Sequence, residues 1–465
     1  MLLFLHIFVT DGIRERTMKL NKIYSAILLS TLPLSAVQAA GLDRSGQSIS
    51  AFLQPGNYFE AGISVLDPTV KGQEAGTSAT TRKIGDMGDD YYFPSAALKL
   101  QLTDKFSFGL LYDQPFGADA KYTGDNVFVA SPNDRVLSSL PVTTSSIGGA
   151  TTGNTSVEVD SQNISMIFGF QPTQNFNIYG GGVYQTIKGN VHLRGSAYSV
   201  FNGYDATIKE DGAVGWLAGA AYQIPEIALK ASITYRSEVD HKFNASENLS
   251  LASPLATALP GLAGQLPSLG LTPQQIAAIG QAVTGFAGAN SAEGQTKITT
   301  PQSVNLDFQT GIMANTVAFA NVRWVNWKDF SITPYKFGKA AEAVGPLVNR
   351  PNGFSLVEYA DDQWSVNAGV GRKLSEQWAG NVSVGWDSGA GNPVTTLGPT
   401  EGYWNVGLGL QYSPTPATFI AGGVKYFWLG DAKAQTGAQA GGNDYVAKFE
   451  DNNAIAYGLK IGYKF

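Results

Sequence analysis

The sequence predicts an all-β fold, a transmembrane β-barrel of fourteen antiparallel strands, and three observations lead to this prediction. Apolar and polar residues alternate along many short segments, most clearly over 404–412, where an aromatic residue stands at each end of the apolar face. The connections between these segments alternate between short and long. In the last segment, 453–465, every second residue is apolar up to the terminal Phe465. These features together are typical of a barrel whose outer surface meets lipid.

Barrel strands are predicted wherever the alternation continues for about ten residues, the length that crosses a bilayer as a tilted strand. Because each strand alternates apolar and polar residues, the mean hydropathy of −0.05 does not reveal a membrane protein. The predicted strands lie near 57–66, 91–102, 105–113, 157–171, 175–188, 213–224, 227–239, 302–313, 316–327, 363–374, 377–387, 403–413, 417–428 and 453–465.

The connections predict the orientation of the barrel. Those after strands 2, 4, 6, 8, 10 and 12 are short, for example Thr103-Asp104 and Ala314-Asn315, whereas the others are long and rich in Gly, Asn, Asp and Thr. Short turns at one end and long loops at the other are the arrangement of Gram-negative outer-membrane barrels. The sequence therefore predicts this localisation, with both termini in the periplasm.

The N-terminus has the pattern of a secretory signal peptide. A basic start at Met18 to Lys22 leads into an apolar stretch, Ile23 to Leu34, that is too short to span a bilayer, and small residues follow up to Ala39. We therefore expect residues 1–39 to be a signal peptide, with 1–17 an upstream start extension. Residues 40–56 would form a short N-terminal luminal plug, and 57–465 the barrel.

The composition argues against enzymes and nucleic-acid binding proteins. The chain has no Cys, only three His (His6, His192 and His241) and a formal net charge of −6. There is no Gly-x-Ser-x-Gly elbow and no Walker loop. We expect no catalytic residues, no metal, no cofactor and no nucleic-acid partner. A soluble β-sandwich or a secreted β-helix also alternates, but neither accounts for the signal peptide, the two-sided loops and Phe465 together.

Five short motifs occur in order along the chain. They are Tyr235–Val239, Thr300–Ser303, Trp324–Phe330, Asp361–Trp364 and Trp386–Ser388, and segment 61–70 precedes them. In order and spacing they resemble the FadL/OmpP1/TodX family of outer-membrane transporters for fatty acids and aromatic hydrocarbons. The resemblance covers nearly the whole mature chain. It implies a fourteen-stranded monomer that takes up hydrophobic molecules, with long-chain fatty acids as the first expectation.

The sequence departs from the family pattern in two places. Members of the fatty-acid branch have a plug of about forty residues with an Asn-Pro-Ala segment, whereas here only Ala40 to Gly56 precedes the first strand. The family also has two helical outer loops. Here the 7–8 loop is one clear candidate, and the 5–6 loop is too short for a matching hairpin.

The 7–8 loop predicts an apolar capture site. Thr272-Pro273 is a helix start, with an N-cap and Pro at the first helical position. Apolar residues precede and follow it at helical spacing, and no charge occurs from 251 to 290. These helices could equally pack over the barrel mouth without binding a ligand. The candidate ligand contacts are Leu262, Leu266, Ile276, Ile279 and Phe286.

Strand 3 is interrupted by Pro115-Phe116-Gly117. Such an interruption removes ladder hydrogen bonds and bends a wall. In the family a kink in this strand forms a lateral opening, so the resemblance assigns these three residues to a lateral gate. An ordinary strand end is the competing interpretation.

Cations would be needed to bind a carboxylate head group inside the barrel. The family uses basic residues from strand 5 and from the strand 9–10 region, and the nearest ones here are Lys188 or Arg194, and Lys336. Arg236 and Glu238 alternate inward on strand 7 and predict a structural ion pair in the lumen. Arg323 and Asn321 are also predicted to face inward.

Three functions follow as hypotheses. The first is transport of long-chain fatty acids, and the second is a channel for monoaromatic hydrocarbons, suggested by the shortened plug. The third is a general diffusion porin or a structural adhesin. Expected partners, besides the ligand, are outer-membrane lipid, lipopolysaccharide, and the outer-membrane assembly machinery through Phe465.

Overall fold

Fourteen antiparallel strands form the wall of the barrel in this computed structural model, which describes residues 42–137 and 140–465. The predicted signal peptide therefore lies outside the described residues. The wall strands are β1 Tyr58–Thr69, β2 Tyr91–Gln101, β3 Phe106–Asp113, β4 Ser156–Thr173, β5 Phe176–Leu193, β6 Tyr204–Ile224, β7 Leu229–Arg236, β8 Ser303–Met313, β9 Thr316–Val325, β10 Gln363–Lys373, β11 Trp378–Asp387, β12 Tyr403–Tyr412, β13 Thr418–Leu429 and β14 Asn453–Lys464.

The sheet closes on itself. β14 pairs with β13 on one side and with β1 on the other, in a continuous register from Tyr58↔Lys464 to Thr69↔Asn453. Each wall strand therefore pairs with two neighbours, and such closure is what allows a sheet to cross lipid. The predicted fourteen-stranded barrel and its alternation of short turns and long loops are thus confirmed.

The alternation of side chains gives the wall an apolar outer face. Along β12, Trp404, Val406 and Leu408 are exposed, whereas the side chain of Asn405 is buried inside the barrel. The same pattern recurs in β4 and β14, where Ile164 and Ile461 lie on the outer surface. No helix in the part of the chain that the structure describes is long and apolar enough to span a bilayer.

Three wall strands are longer than the others. β4, β5 and β6 have 18, 18 and 21 residues, whereas the remaining wall strands have 8 to 12. With a rise of about 3.3 Å per residue, they extend the wall well beyond the loop end of the neighbouring strands. The sequence predicted these strands, but not their full length.

The long loops fold into a layer over one end of the barrel. Three α-helices lie in it: α1 Ala252–Gln265 and α2 Pro273–Ala289 in the 7–8 connection, and α3 Tyr335–Val344 in the 9–10 connection. The helical 7–8 loop was predicted, whereas α3 was not. The short strands of this layer and of the β3–β4 connection are Gly72–Glu74, Lys83–Ile84, Gly117–Lys121, Arg135–Leu137, Val142–Thr143, Val239–Phe243, Ser246–Leu249, Thr296–Thr300, Ser331–Ile332, Val357–Glu358, Val394–Thr395, Ala432–Gln435 and Ala447–Phe449.

Residues 42–56, which we call the luminal segment, lie inside the barrel. Phe52 is fully buried and packs edge-on against Tyr179 of β5, with ring centroids 5.6 Å apart. Wall side chains bond to its main chain: Lys230 Nζ donates to the carbonyl oxygen of Leu53 at 2.9 Å and Lys99 Nζ to that of Gly56 at 2.7 Å. This segment therefore fills part of the lumen and is held by donors from the wall.

Candidate functional site

A cavity of about 510 Å³, which we call the loop cavity, lies under the helices at the loop end of the barrel. It is bounded by α2, by α3 and the turn after it, by the 3₁₀ helix Ser196–Phe201, and by parts of the 11–12 and 13–14 loops. Apolar pockets of a few hundred cubic ångströms are the usual form of small-molecule sites. The loop cavity is thus the principal candidate site.

Helix α2 presents a regular apolar face to the loop cavity. Its N-terminus is fixed by a capping box, in which the Thr272 hydroxyl accepts a hydrogen bond from the Gln275 main-chain N–H and the Gln275 side chain accepts one from the Thr272 N–H. Ile279, Val283 and Phe286 follow at spacings of one helical turn and line the cavity. The cap therefore sets where this face begins.

Aromatic rings from distant loops meet at Phe201. Its ring lies 4.5 Å from that of Phe337 in α3, 5.5 Å from that of Phe286 in α2, and 5.7 Å from that of Phe354. These separations are within the range of favourable aromatic packing. The cluster joins three loops into one wall of the cavity.

Among the residues that the structure describes, none of those lining the loop cavity has a charged side chain. Its polar atoms come from neutral groups, and some of these are already paired. The Tyr198 hydroxyl, for instance, donates to Thr396 Oγ1 at 3.0 Å. Burial raises the pKa of Tyr198 well above its usual value, so its phenol stays neutral. The cavity is therefore suited to uncharged chemical groups.

A smaller apolar cavity of about 50 Å³, the linking cavity, continues from the loop cavity toward the wall. The two cavities share Leu356 and Leu397 as lining residues. At its far side the linking cavity reaches Leu42 of the luminal segment together with Gly117 and Ala118. Apolar surface thus extends from beneath the loop helices to the interruption after β3.

The wall changes course after β3. β3 ends at Asp113, and the chain resumes as a strand at Gly117, which pairs with Asp160 of β4. Between them Ser161 holds the main chain of Phe116, since its hydroxyl accepts from the Phe116 N–H at 2.8 Å and donates to the Phe116 carbonyl at 2.6 Å. Phe116 is buried and its ring meets that of Trp327 edge-on at 5.6 Å.

The luminal segment takes the place of β2 beside this turn. β2 pairs with β3 only from Ala96 onward, and its earlier residues, Tyr91–Ser95, have no partner strand on that side. Instead, the Gly117 N–H donates to the Leu42 carbonyl at 2.9 Å. The wall therefore has an interruption between β2 and the short strand Gly117–Lys121, which is the continuation of strand 3.

Arg44 covers this interruption. Its main-chain N–H donates to the Pro115 carbonyl at 2.6 Å. Its guanidinium lies 4.1 Å from the centre of the Tyr91 ring and 4.0 Å from the Asp160 carboxylate. Because Gly117 has no side chain, the guanidinium can lie directly against its backbone. The opening between the strands is thus filled by one cation.

Residues 47–465 match the model of a family described as outer membrane protein transport protein (OMPP1/FadL/TodX). The chain belongs to this family. Its members are outer-membrane transporters of hydrophobic compounds, and the resemblance inferred from the short motifs is confirmed.

Solved structures of the OMPP1/FadL/TodX family share the fold at low sequence identity. A FadL homologue from Pseudomonas aeruginosa superposes with a TM-score of 0.62 at 14% identity, covering 90% of this chain and 92% of that one. The toluene transporter TodX of P. putida gives a TM-score of 0.53 at 12% identity, with 89% and 91% covered. The toluene transporter TbuX of Ralstonia pickettii gives 0.52 at 10%, with 92% and 95% covered. No curated protein sequence matches the chain.

The structure places two of the five predicted apolar contact residues in the lining of the loop cavity. Ile279 and Phe286 lie there, on the inner face of α2. Leu262, Leu266 and Ile276 pack into the apolar cluster between the helices and do not line the cavity.

The three predicted cations, Lys188, Arg194 and Lys336, do not line the loop cavity or the linking cavity. Lys188 shares the outward face of β5 with Tyr184 and pairs with Asp160 at 3.4 Å. Arg194 is held by Asp205 at 2.6 Å and by main-chain carbonyls. Lys336 Nζ donates to the carbonyl of Asn290 at 2.7 Å. Each is occupied by a protein partner.

The predicted ion pair between Arg236 and Glu238 is wrong. β7 ends at Arg236, and the alternation stops at Ser237, so Glu238 is exposed whereas Arg236 is buried in the lumen. Arg236 bonds instead to Ser165 Oγ at 3.2 Å and to the carbonyl of Gln47 at 3.4 Å. Its contacts thus join two wall strands to the luminal segment.

Several residues of the site were missed from the sequence. Phe337 and Val344 come from α3, whose buried positions follow a helical period, so periodicity could have identified this helix. Nothing local distinguishes Phe201, Phe354 or Arg44, because their partners are remote in the sequence. In the part of the chain that the structure describes, no group of His, Asp and Glu is arranged to hold a metal ion.

Proposed function

We propose that the chain carries uncharged hydrophobic molecules through the outer membrane, from the loop end of the barrel to the interruption after β3. The observation that carries this proposal is the charge-free lining of the loop cavity and its continuation, through the linking cavity, to Gly117. Each buried methylene gains about 0.8 kcal/mol over water. A chain of apolar sites can therefore move such a molecule where an aqueous pore would exclude it.

In this proposal the loop end faces the outside of the cell. The loop cavity then captures the ligand first. Pro115, Phe116 and Gly117 form the lateral gate, with Arg44 as its cover, and the ligand leaves into the bilayer between β2 and the continuation of strand 3. The luminal segment is the plug that closes the direct route through the barrel.

Long-chain fatty acids are the second candidate ligand, and one observation favours them. An apolar cavity of about 150 Å³ holds a single benzene ring, whereas the loop cavity has about 510 Å³. It has room for more than one aromatic ring, or for a substantial part of an alkyl tail. The carboxylate would then have to stay outside this lining, because none of its described residues is charged.

Matched ligands separate the two candidates. Oleate and methyl oleate have the same tail and differ in charge, and toluene tests the aromatic alternative. We expect methyl oleate to bind the purified barrel at least as tightly as oleate, measured by displacement of a fluorescent lipid probe. Much tighter binding of oleate would refute the preference for uncharged ligands.

A matched pair of variants locates the binding. Ala278 lines the loop cavity, whereas its neighbour Ala277 is exposed on the same helix. Ala278→Trp should fill the cavity and weaken binding of the preferred ligand at least tenfold, and Ala277→Trp should not. Equal affinities of the two variants would place the ligand elsewhere.

A second pair tests the exit. Ala118 is buried and lines the linking cavity, whereas Ala368 lies on the lipid-facing side of β10. Ala118→Trp should leave binding at the loop cavity intact and abolish uptake by whole cells, and Ala368→Trp should leave both unchanged. Normal uptake by Ala118→Trp would exclude this route.

A further inference from the structure

A cavity of about 170 Å³ inside the barrel differs from the others in its lining, and we call it the polar cavity. It lies between the luminal segment and the wall strands from β7 to β13, and it shares no lining residue with the loop or linking cavities. A smaller cavity of about 30 Å³ shares Leu53, Gln54 and Lys230 with it and reaches the β4–β5 turn. The polar cavity is therefore approached from the short-turn end.

Six charged residues line the polar cavity, and five of them have partners in the protein. Asp43 and Arg323 form an ion pair at 2.6 Å. The other three form hydrogen bonds: Lys230 with the carbonyl oxygen of Leu53 at 2.9 Å, Asp307 with Asn321 at 2.8 Å, and Asp387 with Gln363 at 2.7 Å. Their charges are thus neutralised or hydrogen-bonded without any ligand.

Lys425 is the sixth, and it makes no hydrogen bond or ion pair to another described residue. Its stem lies over Gly407 of β12, where a Cβ would come within 2.9 Å of Lys425 Cγ. The glycine therefore makes room for the lysine inside the wall. Its side chain is half-buried and borders the polar cavity, so a mobile anion that enters the cavity can reach this ammonium group.

We propose that the polar cavity binds a small carboxylate at Lys425, admitted from the short-turn end of the barrel. An ammonium group and a carboxylate form a charge-assisted hydrogen bond. The amide groups of Asn367 and Asn405 border the same cavity and can donate to the second oxygen. The carboxylates of Asp43, Asp307 and Asp387 disfavour an anion of higher charge, so one unpaired ammonium matches one monoanion.

This site is separate from the apolar route, and its test does not involve transport. A ligand that binds only the folded protein raises its unfolding temperature. We would measure heat unfolding of the purified full-length barrel by gel mobility, in sodium acetate and in sodium chloride at equal ionic strength. The variants are Lys425→Met and, as a control, Lys433→Met, because Lys433 is exposed in the 13–14 loop.

Acetate should raise the midpoint temperature of unfolding of the wild-type protein and of Lys433→Met, and the rise should saturate. It should leave the midpoint temperature of Lys425→Met unchanged. The same rise in all three proteins, or in none, overturns the site. An equal rise in chloride overturns the preference for a carboxylate.

A second measurement covers the case in which Lys425→Met does not assemble. Reductive methylation of the wild-type protein, quantified by mass spectrometry of its peptides, should be slowed by acetate at Lys425 but not at Lys433. Equal rates at Lys425 with and without acetate would again count against the proposal.

Discussion

Arg323 of β9 and Asp43 of the luminal segment form a buried ion pair, with Nε 2.6 Å from Oδ2 and Nη2 3.1 Å from Oδ1. Both side chains are almost fully buried. Arg323 also bonds to Asn305 Oδ1 at 2.7 Å and to Gln47 Oε1 at 3.0 Å. This one guanidinium group therefore joins two wall strands to two positions of the luminal segment.

Removal of Arg323 should release the luminal segment. Breaking a buried pair from one side costs about 3–5 kcal/mol, because the remaining charge has no partner. We expect Arg323→Met to raise the ion conductance of the barrel in planar bilayers several-fold. Adding Asp43→Asn to it should restore part of the closure, since no unpaired charge then remains. Arg372→Met, at an exposed arginine of β10, is the control, and unchanged conductance of Arg323→Met would show that other contacts hold the segment.

The barrel wall was predictable because each strand carries its own signal. The alternation along β8 and β9, for example, leads into the two-residue turn at Ala314-Asn315 after one register shift between Gly311 and Met313, and Asn315 adopts the left-handed conformation that such a turn requires. Side-chain alternation and turn chemistry are both local properties. They fix the strands without knowledge of what the strands pack against.

The loop layer was only partly predictable, because its packing joins residues that are far apart in the sequence. The start of α2 was found from Thr272-Pro273, but the contact of Phe201 with Phe337 has no local signal. The partners of the predicted cations also have no local signal, because Arg194 is bound by Asp205 and Lys336 by the carbonyl of Asn290, which is 46 residues away in the sequence.

Loss of the α2 cap should loosen the wall of the loop cavity. The Thr272 hydroxyl accepts the Gln275 N–H at 3.3 Å, and loss of such a cap costs about 1 kcal/mol. We expect Thr272→Ala to speed hydrogen exchange over 273–280 about fivefold, as measured by mass spectrometry. Thr284→Ala removes a hydroxyl from the middle of the same helix, which bonds only to the Gly280 carbonyl, and should have a smaller effect. Similar exchange in both variants would indicate that tertiary contacts alone fix the start of α2.

A side chain at Gly117 should displace Arg44 from the interruption in the wall. A Cβ there would collide with the guanidinium group, and overpacking of this kind costs about 1–3 kcal/mol. We expect Gly117→Ala to lower the temperature at which the folded barrel unfolds in detergent. At Gly182 of β5 a Cβ would meet no atom within 4 Å, so Gly182→Ala is the control. If both variants unfold at the same temperature, Arg44 is free to move aside and does not seal the interruption in the wall.

Glu401 should make the 11–12 loop less stable as the pH rises. Burial raises the pKa of its carboxyl to about 7; the hydrogen bond from the Gly391 N–H opposes this shift, and the nearby Asp387 and Asp361 add to it. The unfolded loop loses this proton near the usual pKa of Glu, about 4.3, whereas the folded loop keeps it until about pH 7. The folded state thus binds more protons in this window, so its free energy of unfolding falls between these two values.

Glu401→Gln removes this dependence while keeping an oxygen for the Gly391 N–H, which lies 3.1 Å from Oε1. At pH 8 we expect the variant to be more stable than the wild-type loop by about 3 kcal/mol, the scale of the difference between these two pKa values. Hydrogen exchange over 388–402, measured at pH 5 and pH 8 and corrected for the intrinsic rates, gives this difference. At pH 5 the difference in stability should be much smaller, because the carboxyl is still protonated in the folded wild-type loop and only the first part of the pH window has been crossed. If the variant exceeded the wild-type loop in stability by more at pH 5 than at pH 8, the pH dependence would have the opposite sign. Glu401 would then be held as a carboxylate.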